Sequence, residues 1–435
     1  RTILHAHQVW MARYPSRFSS ANNHLVAEVA GEFVISLAMP ELALSAELDA
    51  KGRQVLAQEA DRQILADGVG AEQSPTYGAF TAEFLLLCCF CARAAGRPLS
   101  ASIDARLALF STFIAWLSDA EGKVPGICDD DEGRVLTLSR HEAAYATSVS
   151  TAIAGYLGEE TAGPRPREND LRDALLQAPA TGMPAPSGLR TFADGGYTVS
   201  RERRNDREVH IIVDHAPLGY LAIAAHGHAD ALSVIATIDG KPLFVDPGTY
   251  LYHSGGPWRD WFRSTRAPNT LTLGNADQST MSGAFNWSHK ASARLDSVTD
   301  GEGWRIVASH DGYQKRFGCI HRRTVASDPS GFSIHDALIG TTDQLAEIVF
   351  QLAPSSQAVV EANQVHIHSE GQWLAALSFS HAGEVSCKSG GSPGEGGWYS
   401  PRFGVKVPAP RIVWKGRLPS EGLLTKIDLA TGNAR

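Results

Sequence analysis

Apolar residues change their spacing partway along this chain. Between Asn23 and about Tyr156 they recur at i, i+3, i+4 and i+7 in NHLVAEVAGEFVISLAM, GAFTAEFLLLCCFCARAAG, ARLALFSTFIAWLSDAEG and EAAYATSVSTAIAGYLG. That period belongs to helices with one buried face, and short Gly, Pro and Ser connections between them predict a bundle or toroid of paired helices. GPRPREND through QAPATGMPAPSG is rich in Pro, Ala and charge and reads as a linker carrying one short helix. Beyond Ser187 the period falls to two. GYTVSRE, EVHIIVDHA, YLAIAA, LSVIATI, KPLFVDP, NTLTLG, GFSIHDAL, AEIVFQLAP and RIVWKGRL are among the strand-like runs bounded by turns. So many short strands without helices between them predict an antiparallel β-sandwich. The expected organisation is a helical domain over residues 1–165, a linker over 166–188 and a β-sandwich domain over 189–435. Asp239-Gly240 is a two-residue turn that favours positive φ at both positions and joins LSVIATI to KPLFVDP as a hairpin.

Composition narrows the function classes. The 435 residues are 43% hydrophobic and 20% charged, enough for two cores and without the signature of disorder. The net charge of −8 argues against nucleic acid, whose phosphates call for a basic surface. An anionic ligand has to be met by a local basic site. No run approaches the roughly 20 apolar residues of a membrane span, so a soluble chain is expected. The text opens on Arg1 in mid-pattern, which reads as a processed or truncated chain. Six cysteines include three crowded into FLLLCCFCARAAG; no two C-x-x-C steps pair as a structural zinc site needs, and core thiols are the expectation.

Three stretches concentrate polar chemistry. In AAHGHADALSVIATIDGKPLFVDPGTY, His226 and His228 stand at i and i+2, so an extended chain sends both imidazoles to one face. Such a pair suits either a shared site or a solvated sheet edge. YHSGGPWRDWFRSTR sets Trp258, Arg259, Trp261, Arg263 and Arg266 close together, groups that stack on sugar rings or grip carboxylate and sulfate; ion pairing with Asp260 is the structural alternative. CDDDEGRV places Asp129, Asp130 and Asp131 together without the alternation and glycine of an EF-hand loop. It reads as a loop between helices, or as acid and base of a glycoside hydrolase together with Glu72.

HGHADALSVIATIDGKPLFVDPGTYLY, WFRSTRAPNTLTL and DQSTMSGAFNW, with SSANNHLVAEVAGE and EQSPTYGAF upstream, resemble the heparinase II/III family of polysaccharide lyases. The resemblance implies an incomplete (α/α) toroid, lacking its first helices, followed by an antiparallel β-sandwich. It also implies β-elimination next to a uronic acid in an anionic polysaccharide, and a periplasmic or secreted setting. Asn23 and His24 match positions set against the substrate carboxylate, although Asn22 and Asn23 also read as a helix N-cap. Tyr77 is the implied proton-transfer group. A phenol with a pKa near roughly 10 donates readily to a departing alkoxide. His226 would add a second proton-transfer or carboxylate-neutralising group. Gln73, Tyr252, Trp258, Arg259 and Arg263 are the expected substrate contacts.

His228 and Asp246 match positions that hold a structural zinc in several members, so Zn2+ or another divalent cation is the expected cofactor and no organic one is. Here the chain departs from the pattern. Pro268, in Ala267-Pro268-Asn269-Thr270, occupies the place of the expected third ligand. His253 or Asn269 can be asked to substitute, or His228 can hydrogen-bond Asp246 directly and brace His226 without an ion. A hydrolase on the same scaffold and a non-catalytic polysaccharide-binding or capsule-assembly protein are the alternatives to a lyase.

Overall fold

A computed structural model describes residues 1–137, 144–166, 171–179, 181–204, 206–301 and 303–430. The chain divides into two compact units, one helical (residues 1–124, 132–186 and 220–223) and one built on sheets (125–131, 187–219 and 224–435).

The helical unit contains α1 (Thr2–Arg13), α2 (Asn23–Ala38), α3 (Ser45–Gln63), α4 (Pro75–Ala94), α5 (Ala101–Leu117), α6 (Tyr145–Leu157) and α7 (Leu171–Leu176). The four periodic runs became α2, α4, α5 and α6, and α7 is the short helix expected after GPRPREND. Glu142 and Ala143, at the head of the fourth run, lie outside the described residues. α3 is too polar for its period to stand out: it buries Leu48 and Leu56 but also Asp49, Glu59 and Gln63. α2 packs on α3 and α4, and α6 on α4 and α5, so these helices bury their apolar stripes against one another. Val26, Phe33, Leu85, Phe110 and Ile153 are fully enclosed there. α4 corrects one expectation. It is long and apolar enough to cross a membrane by length and composition, yet two thirds of its apolar window is buried inside the protein, as in a core helix.

The sheet unit opens with β1 to β5 (Gly188–Phe192, Tyr197–Arg204, Arg207–Asp214, Val234–Ile238, Lys241–Phe244), an antiparallel meander in chain order. An eight-stranded antiparallel sheet runs from Ser356–Glu361 at one edge to Ala293–Thr299 at the other, and a four-stranded sheet joins Glu384–Lys388, Arg411–Arg417, Leu345–Gln351 and Leu271–Leu273. One apolar core draws on all three sheets, with Ile211, Phe244, Leu271, Phe332, Phe350, Trp414 and Ile427 at its centre. The Asp239-Gly240 turn has φ of 50° and 72°, as its hairpin requires. YLAIAA, by contrast, is not a strand. Leu221 and Ala224 take positive φ, and the segment runs through turns without a ladder partner. That irregular stretch leads directly into His226.

Candidate active site

The sheet unit gathers its polar residues around Asp129, which is completely buried. Its carboxylate accepts two hydrogen bonds from Arg259, with Nη2 at 2.7 Å from Oδ2. His226 Nδ1 lies 3.2 Å from Oδ2 and His228 Nε2 lies 3.0 Å from Oδ1. Burial drives the Asp129 carboxyl upward, but Arg259 and the two imidazole hydrogen bonds outweigh it and hold the group well below the usual carboxylate range. An ionised Asp129 can only accept. It therefore fixes the proton of His226 on Nδ1 and that of His228 on Nε2, leaving the lone pairs on His226 Nε2 and His228 Nδ1.

The loop geometry explains why the two histidines share this face. Gly227 separates them, and a Cβ there would sit 1.7 Å from the Leu218 carbonyl oxygen, so only glycine lets the chain pass. The Asp129 amide donates to the His226 carbonyl at 3.1 Å, and the Asp130 amide to Thr249 Oγ1 at 2.7 Å. Asp129 thus belongs to the sheet unit and faces both imidazoles, where the sequence reading made it part of a loop between helices.

Arg259 and Arg263 lie on α8 (Pro257–Arg263), one turn apart. Both are buried, at 1% and 0% exposure. Arg263 donates to the carbonyls of Gly283 and Ala284 and lies 4.4 Å from the centre of the Trp287 ring; burial lowers its pKa to about 10. The expectation that these guanidiniums grip sugar anions therefore gives way to one in which they hold Asp129 and the 283–284 turn. The carboxylate partner of Arg259 is Asp129 rather than Asp260, and Arg263 is held by backbone carbonyls. Trp258 and Tyr252 are half-buried. Tyr252 joins His226 and Phe285 in an aromatic shelf, with ring centres 6.3 Å from His226 and 4.9 Å from Phe285.

Beside this lies a second buried group. His228, Asp230 and Asp246 each offer a ligand atom, all within 4.8 Å of one another, and can hold a metal ion. Asp230 is the third donor that Pro268 cannot be. His253 is exposed, and Asn269 spends its amide on the Val245 carbonyl and the Gln351 amide. His228 bonds Asp129, not Asp246 as the ion-free alternative had it. Burial first, and then Asp246, raise the Asp230 carboxyl to about 8, while burial brings Asp246 to about 8 against the pull of the Gly248 amide; Asp214, buried and next to Asp230, is raised as well. The carboxyls of Asp230 and Asp246 and the imidazole of His228 fit a divalent ion, with Asp129 holding the far side of His228. Sequence spacing concealed Asp230 although it stands only two residues after His228. The signal was an H-x-D step ending in an apolar run, where an unpaired carboxylate is costly.

In the helical unit the Asn22 side chain accepts from the His24 amide as the N-cap of α2. Asn23 Nδ2 donates to both oxygens of buried Glu72, at 2.9 and 3.1 Å, and Asn22 Nδ2 adds a third bond at 3.1 Å. Glu72 is thus held by the side-chain amides of both asparagines. His24 is exposed. Tyr77 is 7% exposed in the first turn of α4, where Ser74 caps its amide, and Gln73 precedes it with a positive φ of 66°.

A family model described as "Heparinase II/III-like, C-terminal" matches residues 184–428, and one described as "Heparinase II/III N-terminus" matches residues 4–99. No curated protein matches. The chain is similar to a solved "Heparinase III-BT4657 gene product" at 18% identity and TM-score 0.74, covering 99% of this chain and 62% of that one. It is similar to a mutant heparan sulfate lyase HepC from Pedobacter heparinus at 16% identity and TM-score 0.70, covering 98% and 63%. A Streptomyces coelicolor A3 chondroitin AC lyase in complex with chondroitin sulphate follows at 14% identity and TM-score 0.54, covering 99% and 62%. The chain spans under two thirds of each of these proteins, and the likeness is one of fold.

Proposed function

Because the chain belongs to the heparinase II/III family, we propose that it is a polysaccharide lyase that cleaves a uronic-acid-containing anionic polysaccharide by β-elimination. The observation that carries this reading is the Asp129–His226 pair, which presents an imidazole with its proton fixed on Nδ1. In β-elimination a base takes the proton from C5 of the uronate. The electron pair becomes the C4–C5 double bond, and O4 leaves with the electrons of its bond and gains a proton. His226 Nε2 is the proposed base and the Tyr77 phenol the proposed donor to O4. Asn23 and His24 are proposed to meet the sugar carboxylate, whose charge has to be offset before C5 becomes acidic. Gln73, Tyr252 and Trp258 are the proposed contacts to the rest of the sugar, and a periplasmic or secreted setting is proposed with that substrate.

His228, Asp230 and Asp246 are proposed to hold a structural Zn2+, whose preference for imidazole and carboxylate they match. When bound, it would neutralise buried carboxylates and stiffen the loop that carries His226.

The test is incubation with heparan sulfate, chondroitin, hyaluronan and alginate, reading ultraviolet absorbance from the new double bond. Tyr77→Phe is expected to abolish that signal while polymer binding persists. New reducing ends without absorbance would replace the lyase by a hydrolase, binding without cleavage by a scaffold protein, and full activity in Tyr77→Phe would remove the phenol from the mechanism.

A further inference from the structure

The hairpin formed by Trp398–Arg402 and Val405–Pro408 lies outside every motif used so far. It is firmly attached. The Ser400 amide donates to the Pro247 carbonyl at 2.8 Å, the Tyr250 amide to Ser400 Oγ at 2.9 Å and the Gly404 amide to the Tyr250 carbonyl at 2.6 Å. Gly248, with φ of 83°, lets the backbones meet: a Cβ there would lie 2.7 Å from the Ser400 carbonyl oxygen. These bonds fix the hairpin to the segment that follows Asp246.

Its tip extends the aromatic shelf. The Phe403 ring centre is 5.0 Å from that of Tyr252, which is 6.3 Å from His226. Phe403 is half-buried, so one part of its ring packs while another stays available to a sugar face. Two cations flank it. Lys406 Nζ lies 3.6 Å from the centre of the Trp398 ring and 3.9 Å from that of Trp258. The indoles hold this ammonium in place without neutralising it. Arg402 is exposed. Among the described residues, no carboxylate pairs with either cation. On a chain of net charge −8, two unpaired cations beside an aromatic platform are the footprint of an anion.

We propose that this hairpin forms a sugar-binding subsite next to His226, with Phe403 as the stacking platform and Arg402 and Lys406 as contacts to the carboxylate or sulfate of the neighbouring residue in the polymer. The proposal rests on the lyase reading, which names the polymer, but its test does not need turnover.

Heparan sulfate and hyaluronan tetrasaccharides are titrated into the protein by calorimetry, in the Tyr77→Phe background, against Arg402→Ala, Lys406→Ala, Arg402→Glu and Phe403→Ala. Each alanine at a cation is expected to weaken binding about fivefold at low salt and less at high salt, as for an exposed charge contact. Arg402→Glu is expected to weaken it further and Arg402→Lys to restore most of it. In the active enzyme the loss is expected to fall on KM rather than kcat. Sulfate selectivity would show as a larger effect with heparan sulfate; equal effects would assign the contacts to carboxylate. Wild-type affinity in the charge variants, with melting temperatures unchanged, overturns the subsite even if the enzyme is a lyase. Failure of the parent protein to bind either tetrasaccharide overturns it as well. Inactivity toward every polymer, with the charge variants still weakening binding, overturns the lyase reading and leaves the subsite standing.

Discussion

One carboxylate carries most of the organisation at the residue scale. Asp129 meets both terminal nitrogens of Arg259 and one nitrogen of each histidine, all of them enclosed. Removing the charge from such a pair leaves the other charge buried without compensation, which costs about 3–5 kcal/mol. Asp129→Asn is therefore expected to lower the unfolding free energy by about 3 kcal/mol in urea titrations. The double variant with Arg259→Met should lose clearly less than the sum of the two single losses, because the orphaned cation goes too. Strict additivity would show that the pair is not coupled. Asp129 was visible in CDDDEGRV, but its partners lie 97, 99 and 130 residues away, and nothing local singles it out from Asp130 and Asp131. Tyr77 and Asn23 became legible only through the resemblance of EQSPTYGAF and SSANNHLVAEVAGE to a family, since a core tyrosine and a helix cap account for the same letters.

At the scale of elements, three neighbouring strands, Arg305–His310, Cys319–Asp328 and Gly331–Gly340, carry a buried relay. The Gly312 amide donates to His310 Nδ1, His310 Nε2 meets His321 Nδ1 at 3.1 Å, and His321 Nε2 meets Asp336 at 2.7 Å. With an amide at one end and a carboxylate at the other, each imidazole carries one proton, on Nε2. Arg323 closes the relay: it grips both Asp336 oxygens and reaches the carbonyls of Leu232 and Asn269, tying the loop after Asp230 to the sheet. Burial pushes both histidines below their ordinary range; the neighbouring imidazole and Arg323 deepen the effect on His310, while Asp336 partly opposes it. Above about pH 6.5 the folded and unfolded chains are both neutral at these sites. As pH falls through about 6.5, the unfolded chain binds protons that the folded relay refuses, and stability falls by up to about 1.4 kcal/mol per pH unit for each histidine. His321→Gln keeps one acceptor and one donor without the titration. Its stability, from denaturant melts at pH 7, 6 and 5, is expected to fall less steeply than that of the parent, and parallel slopes would rule out His321 as a titrating group. The strands themselves were legible from period two, but the relay was not, because its members sit on separate strands and meet only once the ladder register is set.

For the whole molecule, the order of helices then sheets follows from the change in apolar period. What periodicity missed was α1, the polar α3 and the segments that leave their own stretch of sequence, such as residues 125–131 in the sheet unit. His228, Asp230 and Asp246 of that unit can hold a metal ion, so the proposed ion is testable through stability. Removal of the ion by a chelator is expected to lower the melting temperature, by an amount equivalent to about 2.7 kcal/mol if the ion had been present at a hundred times its dissociation constant. Asp246→Asn should abolish most of that difference, and elemental analysis of the purified protein should find about one equivalent of metal only in the parent. Identical melting with and without chelator, and no metal in the parent, would rule out a bound ion at these three donors. The distance along the chain between Asp129 and Arg259 has a consequence for biosynthesis. At translation rates of about 5–20 residues per second, the carboxylate leaves the ribosome roughly 6 to 26 s before its guanidinium. Until then the nascent chain has to keep that anion hydrated, so the cluster around Asp129 cannot close before Arg259 has been made.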